Sequence, residues 1–222
     1  MSFKEFKEKD LSGITKTILV SLLTSFTVFL VAYFLRLREV DNFIPRFGFF
    51  IFFAILSYAI IMPSLKRARC YDSLSCMPGM MIGMTIGMIA GFLPGFFVGA
   101  TNGMFWGSIW GMVTGITFGA WAGKCCGIMG TMEGMMAGFM SGLMGGMTAL
   151  MMFNDNLKAA GIIVFLVSTV IITGLNLMIY RETKEFNKKF ESEEMFTVVV
   201  SFILTTITIW LSVFGPRSSL FT

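Results

Sequence analysis

The chain predicts an all-α, polytopic integral membrane fold of about seven transmembrane helices, within a range of six to eight, and three observations carry that reading. Of 222 residues, 55% are hydrophobic and only 14% charged, with a mean hydropathy of +0.79. A water-soluble domain carries roughly a quarter charged residues, so this chain lacks the polar groups to cover a wet surface. Apolar stretches long enough to cross a bilayer, about 20 residues each, follow one another along the sequence. A glycine then recurs at every fourth position through the middle of the chain, a spacing that has meaning only on a helix. The composition excludes most soluble enzymes, disordered proteins and nucleic-acid binders. The chain contains no His, which removes imidazole general bases, His-rich zinc sites and His-ligated haem.

Each predicted span has recognisable ends. The first runs over Ile14–Leu35 and stops at Arg36 and Arg38. The second, Phe47–Met62, opens after Pro45-Arg46 and closes at Pro63 and the basic run Lys66-Arg67-Ala68-Arg69. The third and fourth cover Gly79–Ala100 and Gly103–Gly123, joined by a short turn at Thr101-Asn102, with Pro94 expected to kink the third. The fifth, Gly127–Met152, follows a turn at Lys124-Cys125-Cys126 and ends at Asn154-Asp155-Asn156. The sixth is Ala159–Tyr180, which the mixed-charge stretch Arg181–Glu194 is able to extend into water. The seventh is Phe196–Phe214. With only short loops between them, residues 1–222 form one membrane domain. It divides into a two-span scaffold and loop (14–76), a Gly/Met-rich three-helix segment (77–152) and a second two-span scaffold (153–222).

Orientation follows from the basic residues. Of the 17 Lys and Arg, twelve fall on loops sharing a side with the N-terminus and five on the other side. The positive-inside rule then puts the N-terminus in the cytoplasm and the C-terminus outside, most simply in the plasma (inner) membrane. The net charge of +4 is loop charge that sets this orientation. Trp106, Trp110 and Trp210 are expected at the outer interface and Trp121 at the inner one. Ile14–Leu35 is too long for a signal h-region and is read as retained.

Glycine occupies every fourth position from Gly79 to Gly127 and, after one step of three to Gly130, every fourth again to Gly146. Four residues advance about 400° around a helix, so such a row drifts only about 40° per step and forms one slowly turning groove. Each glycine costs roughly 1 kcal/mol in an exposed helix. In lipid the backbone must still satisfy itself, so the helix persists and the groove lets a neighbouring backbone come close. Gly83, Gly87 and Gly91 on the third span, Gly107, Gly111 and Gly115 on the fourth, and Gly134, Gly138 and Gly142 on the fifth are expected to pack helix against helix.

Methionine is concentrated in the same segment, with 16 of 20 Met between residues 77 and 152. Met80, Met84 and Met88 form one MxxxM stripe, and Met132, Met136, Met140 and Met144 another. Met77 and Met129 add density at the cytoplasmic ends. Flexible Met side chains fill irregular gaps beside glycine, but soft thioether sulfur also suits Cu(I). Cys70 and Cys76 flank the start of the third span, and Cys125 and Cys126 lie in the turn before the fifth. All four thus fall on the reducing side, where no structural disulfide is expected, and Lys124 favours the thiolate. If the third and fifth helices are neighbours, these sulfurs can gather at one end of the Met-rich bundle. Glu133 is the one acidic residue inside a predicted span, placed to balance a cation or relay a proton. Asn176 is expected to make an interhelical hydrogen bond.

The stripes Met80-Met84-Met88 and Met132-Met136-Met140 resemble the intramembrane methionine motif of Ctr-type copper transporters. That resemblance implies stacked Met layers passing Cu(I) along a pore to cytoplasmic thiols. Cys125-Cys126 with Cys70 and Cys76 is similar to the cysteine pairs of bacterial mercuric-ion transport proteins. The first family has three spans and the second places its vicinal pair within a span, so each resemblance covers a few residues in one third of the chain.

The expected function is therefore soft-metal transport or buffering, with Cu(I) as the ion and no other cofactor. A non-metal channel gated through its glycine-faced helices, or a structural membrane subunit, are the alternatives. The expected partners are the lipid bilayer and a further copy or another membrane subunit, with no nucleic acid and no nucleotide. No G-x-x-x-x-G-K-[ST] loop exists, and without a nucleophile–base pair an enzyme is not expected.

Overall fold

Among the described residues seven α-helices form, one for each apolar stretch: α1 Asp10–Leu35, α2 Phe49–Arg69, α3 Cys76–Asn102, α4 Met104–Gly123, α5 Gly127–Met151, α6 Leu157–Glu182 and α7 Glu194–Phe214. The computed structural model describes residues 10–35, 47–69, 76–182 and 194–216, and the described residues contain no strand. Six helices among the described residues are long and apolar enough to cross a membrane, which suggests a membrane protein. The seventh, α4, has no charged residue, but its Trp, Gly, Ser and Thr dilute its hydropathy.

The connections in the middle are as short as expected. Thr101 and Asn102, expected to form the first turn, instead end α3, so Gly103 alone turns the chain into α4, with φ of 104°. A 3-10 turn over Lys124–Cys126 leads to Gly127 at φ 69°. Both angles belong to the region where a Cβ is strained, which is why glycine stands there. Pro94 lies inside α3 without ending it.

The second helix departs from the expected boundary at Pro63. It continues through that proline to Arg69, because the residues beyond it are held by packing: Ser64, Leu65, Lys66, Arg67 and Ala68 are all buried. Lys66 and Arg67 are thus helical and enclosed, not loop charges. Arg67 Nη1 donates to the Asn176 carbonyl at 3.3 Å, and Asn176 Nδ2 donates to Ser64 Oγ at 3.0 Å, the interhelical bond expected of that Asn.

Helices α3, α4 and α5 pack against one another far more closely than any other pair. The glycine rows meet in five layers, each holding one glycine from each helix: 83/123/130, 87/119/134, 91/115/138, 95/111/142 and 99/107/146. The ladder's single step of three, from Gly127 to Gly130, is what brings α5 into register with α3 and α4. Thr114 Oγ1 donates to the Ala90 carbonyl at 2.9 Å and Ser141 Oγ to that of Gly87 at 3.2 Å, stitching α4 and α5 to α3.

The other face of α3 carries the apolar core. Ile82, Ile86, Leu93, Phe96 and Phe97 are buried against α2, α6 and α7. Phe53 stacks on Phe97 at 6.1 Å and meets Phe165 edge-on at 5.4 Å. Trp110 is buried, its Nε1 donating to Tyr58 OH at 3.1 Å, and that hydroxyl pairs with Thr208 Oγ1 at 2.8 Å. Tyr58→Phe leaves the Trp110 N–H without an acceptor. A loss of about 1–3 kcal/mol is expected, read as a lower midpoint of denaturant unfolding in detergent micelles.

Candidate functional site

The five glycine layers leave the axis of the α3–α4–α5 bundle filled with backbone. A methyl built on Gly111 would stand 2.7 Å from the Gly91 carbonyl oxygen and 2.9 Å from Gly142 Cα. The side chains of Ser108, Ser141 and Ala149 that reach the layers are small, and the methionines are turned away. On α5, Met132, Met136, Met140 and Met144 follow two residues behind ladder glycines, about 200° around the helix from them. They are 58–66% exposed. On α3, Met84 and Met88 follow the glycines by one residue, about 100° around, and are exposed while Met80 is half-buried. Met77, Met81, Met129, Met135, Met147 and Met151 are exposed as well.

The methionine stripes therefore sit on the outer surface of the bundle and do not line an interior. On α5 the stripe runs along a helix that packs chiefly against α3 and α4. Successive thioethers four residues apart lie about 6 Å apart along the axis, each accessible from the side.

Fold topology brings the start of α3, the end of α4 and the start of α5 to one end of the bundle, beside the 83/123/130 layer. Backbone positions Cys76, Cys125 and Cys126 share that end. Cys126 is half-buried, outside any disulfide, with its Cβ packed beside Gly130. Cys70 and the side chains of Cys76 and Cys125 lie outside the described residues. Among the described residues no three His, Cys, Asp or Glu side chains gather. Glu133, between Met132 and the exposed Met136, is half-buried and Lys124 is exposed.

One set of residues escaped the sequence reading. The first and seventh spans look like plain apolar scaffold, yet Thr17, Ser21 and Ser25 on α1 and Thr197, Ser201, Thr205, Thr208 and Ser212 on α7 are all buried. Their spacing of three or four residues was the available signal, masked by the Val, Ile and Phe between them.

Comparison with protein-family models, with curated proteins and with solved structures finds no match.

Proposed function

We propose that this protein binds Cu(I) along the methionine face of α3 and α5 and moves or buffers it at the membrane. The observation that supports this most is the one-sided row Met132-Met136-Met140-Met144, standing exposed on a helix whose opposite side is glycine. Leu or Ile would serve a lipid-facing surface equally well, whereas only Met adds a soft donor at every turn. Weak thioether sites about 6 Å apart let a cuprous ion exchange from one to the next without being trapped. Cys70, Cys76, Cys125 and Cys126 terminate the path, and Glu133 balances the cation's charge beside it. Because backbone fills the bundle's axis, the path runs along its outer face, enclosed by a second copy or another membrane subunit. The protein lies in the plasma (inner) membrane with its N-terminus cytoplasmic and its C-terminus outside, by the distribution of Lys and Arg.

Metal analysis of anaerobically purified, reconstituted protein loaded from a Cu(I)–chelator complex tests this. The full chain should retain Cu(I) in preference to Zn(II). Changing all four Cys to Ser should lower the retained copper without altering helical content. A wild-type chain that keeps no more Cu(I) than the Cys-free variant would sink the proposal.

A further inference from the structure

The buried hydroxyls of α1 and α7 form two facing rows. Those on α7, Thr197, Ser201, Thr205, Thr208 and Ser212, are each at most 3% exposed. Their row climbs about 22 Å of the roughly 30 Å hydrocarbon core. Ser21 Oγ and Ser201 Oγ, 2.7 Å apart, put the two rows in register. Thr208 carries the series on to Tyr58 and Trp110. Beside and beyond Thr208, the apolar cluster of Phe47, Ile51, Ile55, Ile209 and Val213 shuts that end.

Adhesion between helices accounts poorly for so many hydroxyls. Thr205 and Thr208 donate to carbonyls of their own helix, at Ser201 and Leu204, both at 2.6 Å. Ser25 Oγ is completely buried and has no hydrogen-bond partner. An unpartnered hydroxyl in an apolar seam is less favourable than the Ala or Val that would pack in its place. A hydroxyl row does offer a group that both donates and accepts at every turn. A single water would bridge the roughly 6 Å between turns. No charged residue lies on α1 after Lys16 or on α7 after Glu194, so nothing in the seam offsets the charge of a desolvated metal ion.

We propose that the α1–α7 seam is a proton path, entered at Thr17 and Thr197, leading to Tyr58 and closed by the cluster around Ile209. Each hydroxyl or water oxygen releases one proton as it takes another, so the file is unchanged by the transfer and only a proton has moved. Selectivity follows because a proton passes by exchange between bonded oxygens, whereas a metal ion would have to shed its water in a seam without counter-charge. A hydrophobic constriction is an established way to close such a path. This inference does not rest on the copper reading, and its test is run with copper chelated.

The full chain is reconstituted into liposomes enclosing a pH-sensitive dye, and a potassium gradient with valinomycin supplies an inside-negative potential. Proton uptake above protein-free liposomes is expected, without sodium uptake, and faster in Ile209→Ala, which thins the constriction. The double variant Ser201→Ala, Thr205→Val should slow uptake about tenfold, the equivalent of one lost hydrogen bond to a passing proton, while Thr205→Ser retains it. Helical content and elution profile establish that each variant is folded. If the double variant is not, Thr205→Val alone is read. Uptake at the protein-free level in both wild type and Ile209→Ala, or unchanged uptake in the folded variant lacking the Thr205 hydroxyl, overturns the proposal.

Discussion

Gly115→Leu should yield no folded protein. A single methyl built on Gly115 would stand 2.7 Å from the Gly138 carbonyl oxygen, 2.8 Å from Gly91 Cα and 2.9 Å from Gly138 Cα. All three are backbone atoms, on two different helices, so no side-chain rotation relieves the contact. Overpacking a core by one methylene costs about 1–3 kcal/mol even where side chains can move. Here two helices must separate, and the layers above and below open with them. A leucine demands several times that displacement, against a total stability of about 5–15 kcal/mol. Gly115→Ala should lower the unfolding midpoint sharply, and Gly115→Leu should leave only aggregated material on size exclusion in detergent. Gly174 supplies the control: a Cβ there meets nothing within 4 Å. Gly174→Ala should therefore hold or raise stability by up to about 1 kcal/mol, the ordinary helix preference for Ala. Equal loss from both substitutions would show that helix propensity, not close approach, governs the ladder.

The same geometry explains what could and could not be read before the fold was known. The glycine ladder was legible in full, because a period of four on a helix means one face whatever surrounds it. The turn at Lys124–Cys126 was legible as well, whereas the one expected at Thr101-Asn102 falls one residue later, at Gly103. Pro63 misled, since a proline signals a helix end only when nothing else holds the chain. The burial of Ser64–Ala68 against the rest of the molecule holds it here. The burial of Trp110 was not legible, because an indole's sequence position says nothing of its tertiary contact with Tyr58. Methionine density was visible, but not its direction. Which side of a glycine row a Met occupies follows from an offset of one or two residues. That offset becomes meaningful only once the glycines are known to face inward.

Because that direction is outward, sulfur chemistry and packing can be separated by substitution. The quadruple variant Met132→Leu, Met136→Leu, Met140→Leu, Met144→Leu should fold as wild type does, since these side chains are more than half exposed. Leu and Met are near in volume and apolarity, so a lipid-facing surface does not distinguish them. What disappears is four thioethers. Even changes to groups that merely support a metal ligand lower affinity about 10–100-fold, and loss of the ligands themselves should cost no less. Retained Cu(I) should fall accordingly in competition with a bathocuproine-type chelator. Met62→Leu gives the opposite pattern, because Met62 is 1% exposed inside the core. It should cost up to about 1.5 kcal/mol of stability and leave copper binding untouched. If the quadruple variant keeps its copper, the α5 stripe is a lipid-facing surface and the proposed path loses its steps. If copper falls while stability holds, sulfur at those positions is there for the ion, since nothing in the packing of α5 requires it.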